Sequence, residues 1–116
     1  MRALLALVAL VAVAALSACA GGEAAEPVAT NQVDLPPSYK FEPEAITVPA
    51  GTTVTWTNSD NFTHSVRLVD DGGAVFTMAP GESASFTFEE PGLRNYDCSF
   101  HATDMTGTVL VSEPGT

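Results

Sequence analysis

Four residues of this sequence carry side chains that together could bind a soft metal ion. His64 stands alone, and the segment Cys98-Ser-Phe-His101-Ala-Thr-Asp-Met105 then supplies a thiol, an imidazole and a thioether. Taken singly, each residue is ordinary, because a lone buried Cys is usually an inert small hydrophobe and a lone Met usually fills a gap in the core. As a set, one thiolate, two imidazoles and a thioether suit copper in both of its oxidation states.

Two His and one Cys around the metal, with a weakly bound axial Met, make up the type 1, or blue, copper site. We therefore predict one type 1 copper per chain, with His64, Cys98, His101 and Met105 as ligands. Cysteine usage agrees with this prediction, because an unpaired Cys in an exported domain is either a free thiol or a metal ligand.

The elements that must position these ligands are predicted to be β-strands. Val54 and Trp56 alternate with Thr residues, and His64, Val66 and Leu68 share one face of a second strand. Similar short stripes recur between Pro-Gly and Asp-Gly turn signals, and no stretch after residue 20 shows a helical period. The sequence predicts an all-β fold, a Greek-key antiparallel β-sandwich of about seven or eight strands.

In such a sandwich each candidate ligand lies at a strand end or on a neighbouring loop. His64 follows one loop, Cys98 ends a strand, and His101 and Met105 lie on the short loop that leads into the last strand. These loops can meet at one end of the sandwich. The resulting pocket would be rigid, and rigidity favours fast electron transfer because little has to move between Cu(I) and Cu(II).

The first residues indicate export. Arg2 precedes an apolar run, Leu4 to Leu16, that is too short for a comfortable membrane span. The order Leu16-Ser17-Ala18-Cys19 resembles a bacterial lipobox, which implies a diacylglyceryl group on Cys19 and stable anchoring by several acyl chains. The alternative is an ordinary signal peptide cleaved after Ala18 or Ala20.

The chain is thus divided into a lipoprotein signal peptide (1–18), a flexible tether (19–32) and a single domain (33–113). The tether assignment depends on its Gly, Ala, Glu and Pro content and its lack of aromatic residues. We expect a monomer, bound to the membrane through the lipid on Cys19. It would lie on the outer side of the cytoplasmic membrane or in the periplasm.

The negative charge of the chain indicates which kinds of macromolecule it could bind. All 14 acidic residues follow residue 20, and the formal net charge is −10. This charge argues against binding nucleic acid, whose phosphates would repel the chain. It suits docking onto a basic protein surface, although a solvated acidic surface with no partner role explains it equally well.

Residues 38–111 resemble the plastocyanin, amicyanin and halocyanin group of cupredoxins. The resemblance implies the same four ligands, a single type 1 copper and one-electron transfer between a redox protein donor and a redox protein acceptor. It is carried by these segments: Phe41-Glu-Pro-Glu-Ala-Ile-Thr-Val-Pro-Ala-Gly51, Val54-Thr-Trp-Thr-Asn58, His64-Ser-Val66, Pro91-Gly92, Tyr96-Asp-Cys98-Ser-Phe-His101 and Met105-Thr-Gly-Thr-Val109-Leu-Val111.

The departures from the family pattern affect the electron route. Ser65 stands where plastocyanins often have Asn, and Asp97 stands where they place a Tyr that is linked to a remote docking route. Electrons are therefore expected to leave by the exposed edge of His101. Three residues are predicted to surround this edge: Thr63, Phe100 and Ala102.

An electron carrier is the predicted function, and a copper-binding or copper-delivery lipoprotein without a redox partner is the alternative. A delivery protein would usually show Met-rich or His-rich tracts, whereas this chain has three Met and two His. An enzyme is not expected, because no further His or Cys remains to build a second copper site. A degenerate binding module is not expected either, because such a module would have lost a ligand and all four candidate ligands are present.

Overall fold

The computed structural model describes residues 26–114. The predicted signal peptide and Cys19 lie outside these residues. The described chain forms nine strands: β1 (Val28–Ala29), β2 (Gln32–Leu35), β3 (Ala45–Pro49), β4 (Thr52–Asn58), β5 (His64–Leu68), β6 (Val75–Met78), β7 (Ser83–Phe88), β8 (Gly92–Asp97) and β9 (Thr106–Ser112).

The strands form two sheets that enclose one core, so the predicted all-β sandwich is confirmed. One sheet has the order β1-β3-β9-β8-β5-β6 and the other the order β2-β4-β7. The sheets are mixed rather than purely antiparallel, because β1 pairs with β3, β3 with β9, and β2 with β4 in parallel. Strands far apart in the chain thus become neighbours, which brings the loops after β4 and β8 to the same end.

The alternation in β4 produces its two faces as predicted. Val54 and Trp56 are fully buried in the core. Removing their apolar side chains from water stabilises the fold. The intervening hydroxyls pair across the β4–β7 ladder, for example Thr55 with Ser85 at 2.8 Å and Thr57 with Ser83 at 2.9 Å. One face of β4 therefore stabilises the core, and the other presents an uncharged polar surface.

Three glycines have conformational or steric roles near the ligand strands. Gly72 and Gly73 turn the chain between β5 and β6 with φ values of 81° and 73°, a region that side chains rarely adopt. Gly107 in β9 lies against the ring of Tyr96, which a Cβ at position 107 would overlap. Only a glycine at position 107 lets β8 and β9 pair with Tyr96 in its buried place.

The first described strand precedes residue 33. β1 and the start of β2 fall within the range 19–32 that was predicted as a tether, and β1 pairs with β3 through Val28 and Ala29. Two residues are too few for a strand pattern to stand out in the sequence. No helix among residues 26–114 is long and apolar enough to cross a membrane.

Candidate metal centre

The four predicted ligands lie at one end of the sandwich. His64 is the first residue of β5, Cys98 directly follows β8, and Met105 directly precedes β9. These three side chains are wholly buried, whereas His101 on the intervening loop is half-buried. The structure thus assigns three of the donors to the protein interior and one to the boundary with solvent.

The loop from Cys98 to Met105 is closed by its own backbone. The amide of Cys98 donates to the carbonyl of Met105 at 3.1 Å, which continues the β8–β9 ladder past the last strand pair. Inside the loop, the amide of His101 donates to the carbonyl of Cys98 and the amide of Met105 to the carbonyl of His101, at 3.0 and 2.9 Å. These bonds fold residues 99–104 into a compact turn, which keeps the backbone of Cys98 beside that of Met105.

His64 and Cys98 have the separation expected of two ligands on one metal. Nδ1 of His64 lies 3.9 Å from Sγ of Cys98. Zinc bond lengths of about 2.1 Å to nitrogen and 2.3 Å to sulfur, at a trigonal angle, give a separation of about 3.8 Å for a first-row metal. Cys98 has no disulfide partner within the described chain, so its thiolate is available for a metal. These two residues fit a copper ion in both donor type and spacing.

The second ring nitrogen of His64 is bonded to a carboxylate. Nε2 of His64 lies 2.8 Å from Oδ2 of Asp60, and the side chain of Asp60 is only 5% exposed. The hydrogen bond with His64 holds the pKa of Asp60 below its usual value, in spite of the opposing effect of burial. A proton on Nε2 would be donated to Asp60 and would leave the lone pair of Nδ1 facing Cys98.

His101 completes the set from the outside. Its ring centroid lies 5.8 Å from that of His64 and 4.6 Å from that of Tyr39, which contacts it edge-on. Among residues 26–114, no three His, Cys, Asp or Glu side chains are close enough together to form a ready-made cage. The fit to copper therefore depends on the His64–Cys98 pair and on a loop that carries His101 and Met105 next to it.

Ser65 joins the two ligand-bearing segments. Its backbone amide points at Sγ of Cys98 at 3.4 Å, and its hydroxyl lies 3.7 Å from the same sulfur. The hydroxyl also accepts the amide proton of Ser99 at 2.8 Å. Ser65 is fully buried, so these contacts fix the strand of His64 to the loop of Cys98.

Asp97, the residue before Cys98, is used for a second link between the same strands. The guanidinium of Arg67 donates two hydrogen bonds to its carboxylate, at 2.8 and 2.9 Å, across the β5–β8 pair. The carboxylate raises the pKa of Arg67 above its ordinary value, mainly through these hydrogen bonds. A bidentate ion pair of this kind adds geometric specificity, so it keeps β5 and β8 in register beside the site.

Three contacts of the site were not predicted. Asp60 bonds to His64, Tyr39 contacts the rings of both histidines, and Phe62 stacks on Tyr39. The acid four residues before His64 was a local signal for the first contact. Tyr39 had no such signal, because it precedes the ligands by a long stretch of chain and has a positive φ of 53°.

The comparisons with known proteins place this chain among copper-binding proteins. Residues 29–112 match the family described as copper binding proteins, plastocyanin/azurin family. Plastocyanin from Scenedesmus fuscus is 37% identical over 83 residues, which cover 61% of this chain and 85% of that protein. Amicyanin-alpha from Methylorubrum extorquens is 32% identical over 120 residues, covering 96% of this chain and 99% of the relative.

A solved structure has the same fold. The purple cupredoxin from Nitrosopumilus maritimus superposes with a TM-score of 0.61 and 32% sequence identity, covering 72% of this chain and all of that one. The cupredoxin fold and the prediction of a copper protein are thereby confirmed. With its two mixed sheets and its Cys-His-Met loop, this chain belongs to the plastocyanin/azurin family of copper-binding proteins.

Proposed function

We propose that this protein is a one-electron carrier that binds a single type 1 copper through His64, Cys98, His101 and Met105. The observation that carries the proposal is the asymmetry of the site. Nδ1 of His64 and Sγ of Cys98 lie 3.9 Å apart in the dry core, while His101 alone of the four reaches the surface. When bound, copper supplies the chemistry, since it accepts and releases one electron.

The chain's own residues keep the ligands in place during that exchange. Met105 and Cys98 are fixed by the bond between the Cys98 amide and the Met105 carbonyl, and Ser65 ties Cys98 to the strand of His64. The surrounding core excludes water from the buried donors. A site with this many independent restraints changes little between oxidation states, which lowers the reorganisation that accompanies electron transfer.

The partner is proposed to dock over His101. Tyr39, Phe62 and Phe100 are 44%, 60% and 56% exposed, and we call these three residues the aromatic collar. Tyr39 contacts both His101 and Phe62, so the collar lies beside the half-buried imidazole. Exposed aromatic groups of this kind are typical of protein interaction sites. Electrons would therefore enter and leave through the edge of His101.

An acidic depression beside the ligand loop indicates the charge of that partner. Glu42, Glu44 and Asp104 line it together with Lys40, so acids outnumber the single base. Attraction between this rim and a basic surface would accelerate encounter, and salt would weaken it. We propose redox proteins with a basic docking surface as donor and acceptor, and a monomer as the working form.

The alternative function is copper delivery without electron exchange. A delivery site has to release its metal to another protein, and this is difficult when His64, Cys98 and Met105 are all inaccessible to solvent. The paucity of His and Met, two and three in the whole chain, points the same way. Both observations favour the carrier.

A two-part experiment tests the carrier function. The copper-loaded, oxidised protein is expected to show an intense thiolate-to-copper absorption band and a reversible one-electron wave in voltammetry. The reduced protein is then mixed with a basic haem protein in its ferric form, which takes up one electron. The band is expected to return while copper stays bound, at a rate that falls as salt is added. Transfer of copper to a metal-free acceptor without electron exchange would support delivery instead.

We also propose that the protein is exported and anchored by a lipid on Cys19. Support comes from the lipobox-like order Leu16-Ser17-Ala18-Cys19, which stands a few residues before β1 in the sequence. In cells, Cys19→Ser is expected to move the protein from the membrane fraction to the soluble fraction while copper binding is retained. Unchanged membrane retention of this variant would contradict the anchor.

A further inference from the structure

The loop between β4 and β5 places a carboxylate behind one of the two imidazoles. Oδ2 of Asp60 lies 2.8 Å from Nε2 of His64, on the opposite side of the ring from Cys98. Both side chains are withdrawn from solvent, His64 completely and Asp60 to all but 5%. Burying a carboxylate without a hydrogen-bond partner raises the free energy of the folded state. The bond to His64 offsets this penalty for Asp60.

The carboxylate is fixed by its own loop. Oδ1 of Asp60 accepts the amide proton of Asn61 at 2.7 Å, and the amide of Asp60 donates to the side chain of Asn58 at 2.9 Å. The Asn58 amide group in turn donates to the carbonyls of Phe62 and Met78, at 2.8 and 3.0 Å. To turn away from the ring, the carboxylate would have to give up its bonds to both the Asn61 amide and His64.

The other acids near the ligands differ from Asp60. Asp97 adjoins Cys98, but Arg67 pairs with it through two hydrogen bonds. Asp104 lies on the ligand loop and is exposed to water, which screens its charge. Within residues 26–114, Asp60 is the buried carboxylate that bonds directly to a predicted ligand.

We propose that Asp60 is a positioning residue that acts on the copper through His64. It fixes the tautomer in which Nδ1 of His64 faces Cys98, and it places a negative charge behind the imidazole. This inference depends on the copper site of the proposed function, but it makes no use of a redox partner. A carboxylate behind a metal-binding His is known to orient the ring and to raise its basicity as a ligand.

The charge has a directional consequence for the metal. Cu(II) has one more positive charge than Cu(I), so a nearby carboxylate stabilises the oxidised form more strongly, and low effective dielectric increases the difference. Asp60 therefore lowers the reduction potential and raises the affinity for Cu(II) more than that for Cu(I). Removing its charge should reverse both effects.

The variant Asp60→Asn keeps the size of the side chain and removes its charge. We expect Cu(II) affinity to fall about 10- to 100-fold, the usual cost of losing such a partner, and Cu(I) affinity to fall less. Each tenfold difference between the two losses raises the reduction potential by about 59 mV. Competition with a chelator measures the affinities, and voltammetry measures the potential.

Asp34→Asn is the matched control. Asp34 bonds to Ser59, the neighbour of Asp60 in the same loop, but it does not touch His64. The control should therefore leave affinity and potential near those of the unaltered protein. Equal effects of the two substitutions on both quantities would overturn the proposal, because the charge behind His64 would then have no special role.

A measurement on the unaltered, metal-free protein decides the matter even where Asp60→Asn does not fold. In a long-range proton–nitrogen NMR spectrum near neutral pH, His64 should have its proton on Nε2 and a bare Nδ1. A proton on Nδ1 would refute the proposal. Because no copper is present, this result is independent of whether the protein transfers electrons.

Discussion

The two imidazoles of the site are held in opposite ways. His64 begins a strand, is wholly buried and bonds through Nε2 to Asp60. His101 lies on a loop and is half-buried. Its ring contacts that of Tyr39 edge-on, with the two ring centroids 4.6 Å apart. The His64 side of the centre thus lies in the core of the sandwich, and the His101 side lies at its surface.

In the proposed function, this difference would separate two requirements of an electron carrier. The metal needs donors that do not move, and His64 with Cys98 satisfies this requirement in the core, where close packing resists displacement. The electron needs a short path to another protein, and His101 with the aromatic collar offers it. The following experiments are ordered by the size of the effect expected, and each breaks or sharpens this contrast.

Cys98→Ser breaks the part of the centre that both sides share. A hydroxyl cannot replace a soft thiolate donor, so the intense visible band should disappear. The fold should persist with a lower melting temperature in the presence of copper, because less binding energy is coupled to the native state. Absorption spectroscopy checks the band, and Ser99→Ala should keep it. A strongly coloured Cys98→Ser protein would refute the ligand assignment.

Glycine at each histidine tests the contrast directly. His101→Gly opens a gap toward solvent, so added imidazole should enter and restore most of the visible band of the copper-loaded protein. His64→Gly leaves a gap inside the core, next to an Asp60 that has lost its partner, and the same imidazole should restore little. Titration with imidazole, followed by absorption, measures both. Equal restoration would mean that the two positions are equally accessible.

Met105→Leu examines the loop side of the centre without a large change in packing, since Leu and Met have similar volumes. Loss of the thioether removes a donor to Cu(II), so the reduction potential should rise, by about 59 mV for each tenfold shift in favour of Cu(I). Colour and copper binding should remain. Voltammetry that gives an unchanged potential would exclude Met105 as the axial ligand.

Ser65→Ala weakens the connection between the two sides and should have the smallest effect. The Ser99 amide loses its part-buried acceptor, so the free energy of unfolding of the metal-free protein should fall by about 0.5–1.5 kcal/mol. Ser83→Ala, which removes a hydroxyl from the exposed pair with Thr57, should cost less than about 0.5 kcal/mol. Urea titrations monitored by the buried Trp56 compare them, and equal losses would contradict the structural role of Ser65.

Much of the fold was accessible from local pattern. The alternation of Val54 and Trp56 with Thr residues depends only on the two-residue period of a strand, and the structure has the predicted faces. The parallel pairing of β3 with β9 was missed, because partner choice depends on the path of the whole chain. β1 was missed because two residues carry no period.

Candidate site residues could be predicted from the sequence where they lie in one short segment. Residues that only the folded chain brings to the site could not. Cys98, His101 and Met105 fall within one segment, so their donor types could be recognised together. Asp60 was overlooked because an acid in a polar loop is normally solvated, and only the folded loop buries it. Tyr39 reaches His101 through tertiary packing, which no local pattern records.

The contact between Gly107 and the ring of Tyr96 has a consequence for how this sequence can evolve. A side chain at position 107 would overlap that ring, so neither residue can be exchanged for a bulkier one alone. Among descendants of this chain, substitutions at the two positions should appear together, with a smaller residue at 96 preceding any change at 107. Because position 107 lies two residues after Met105, this coupling restricts the ligand loop through a residue that never touches the metal.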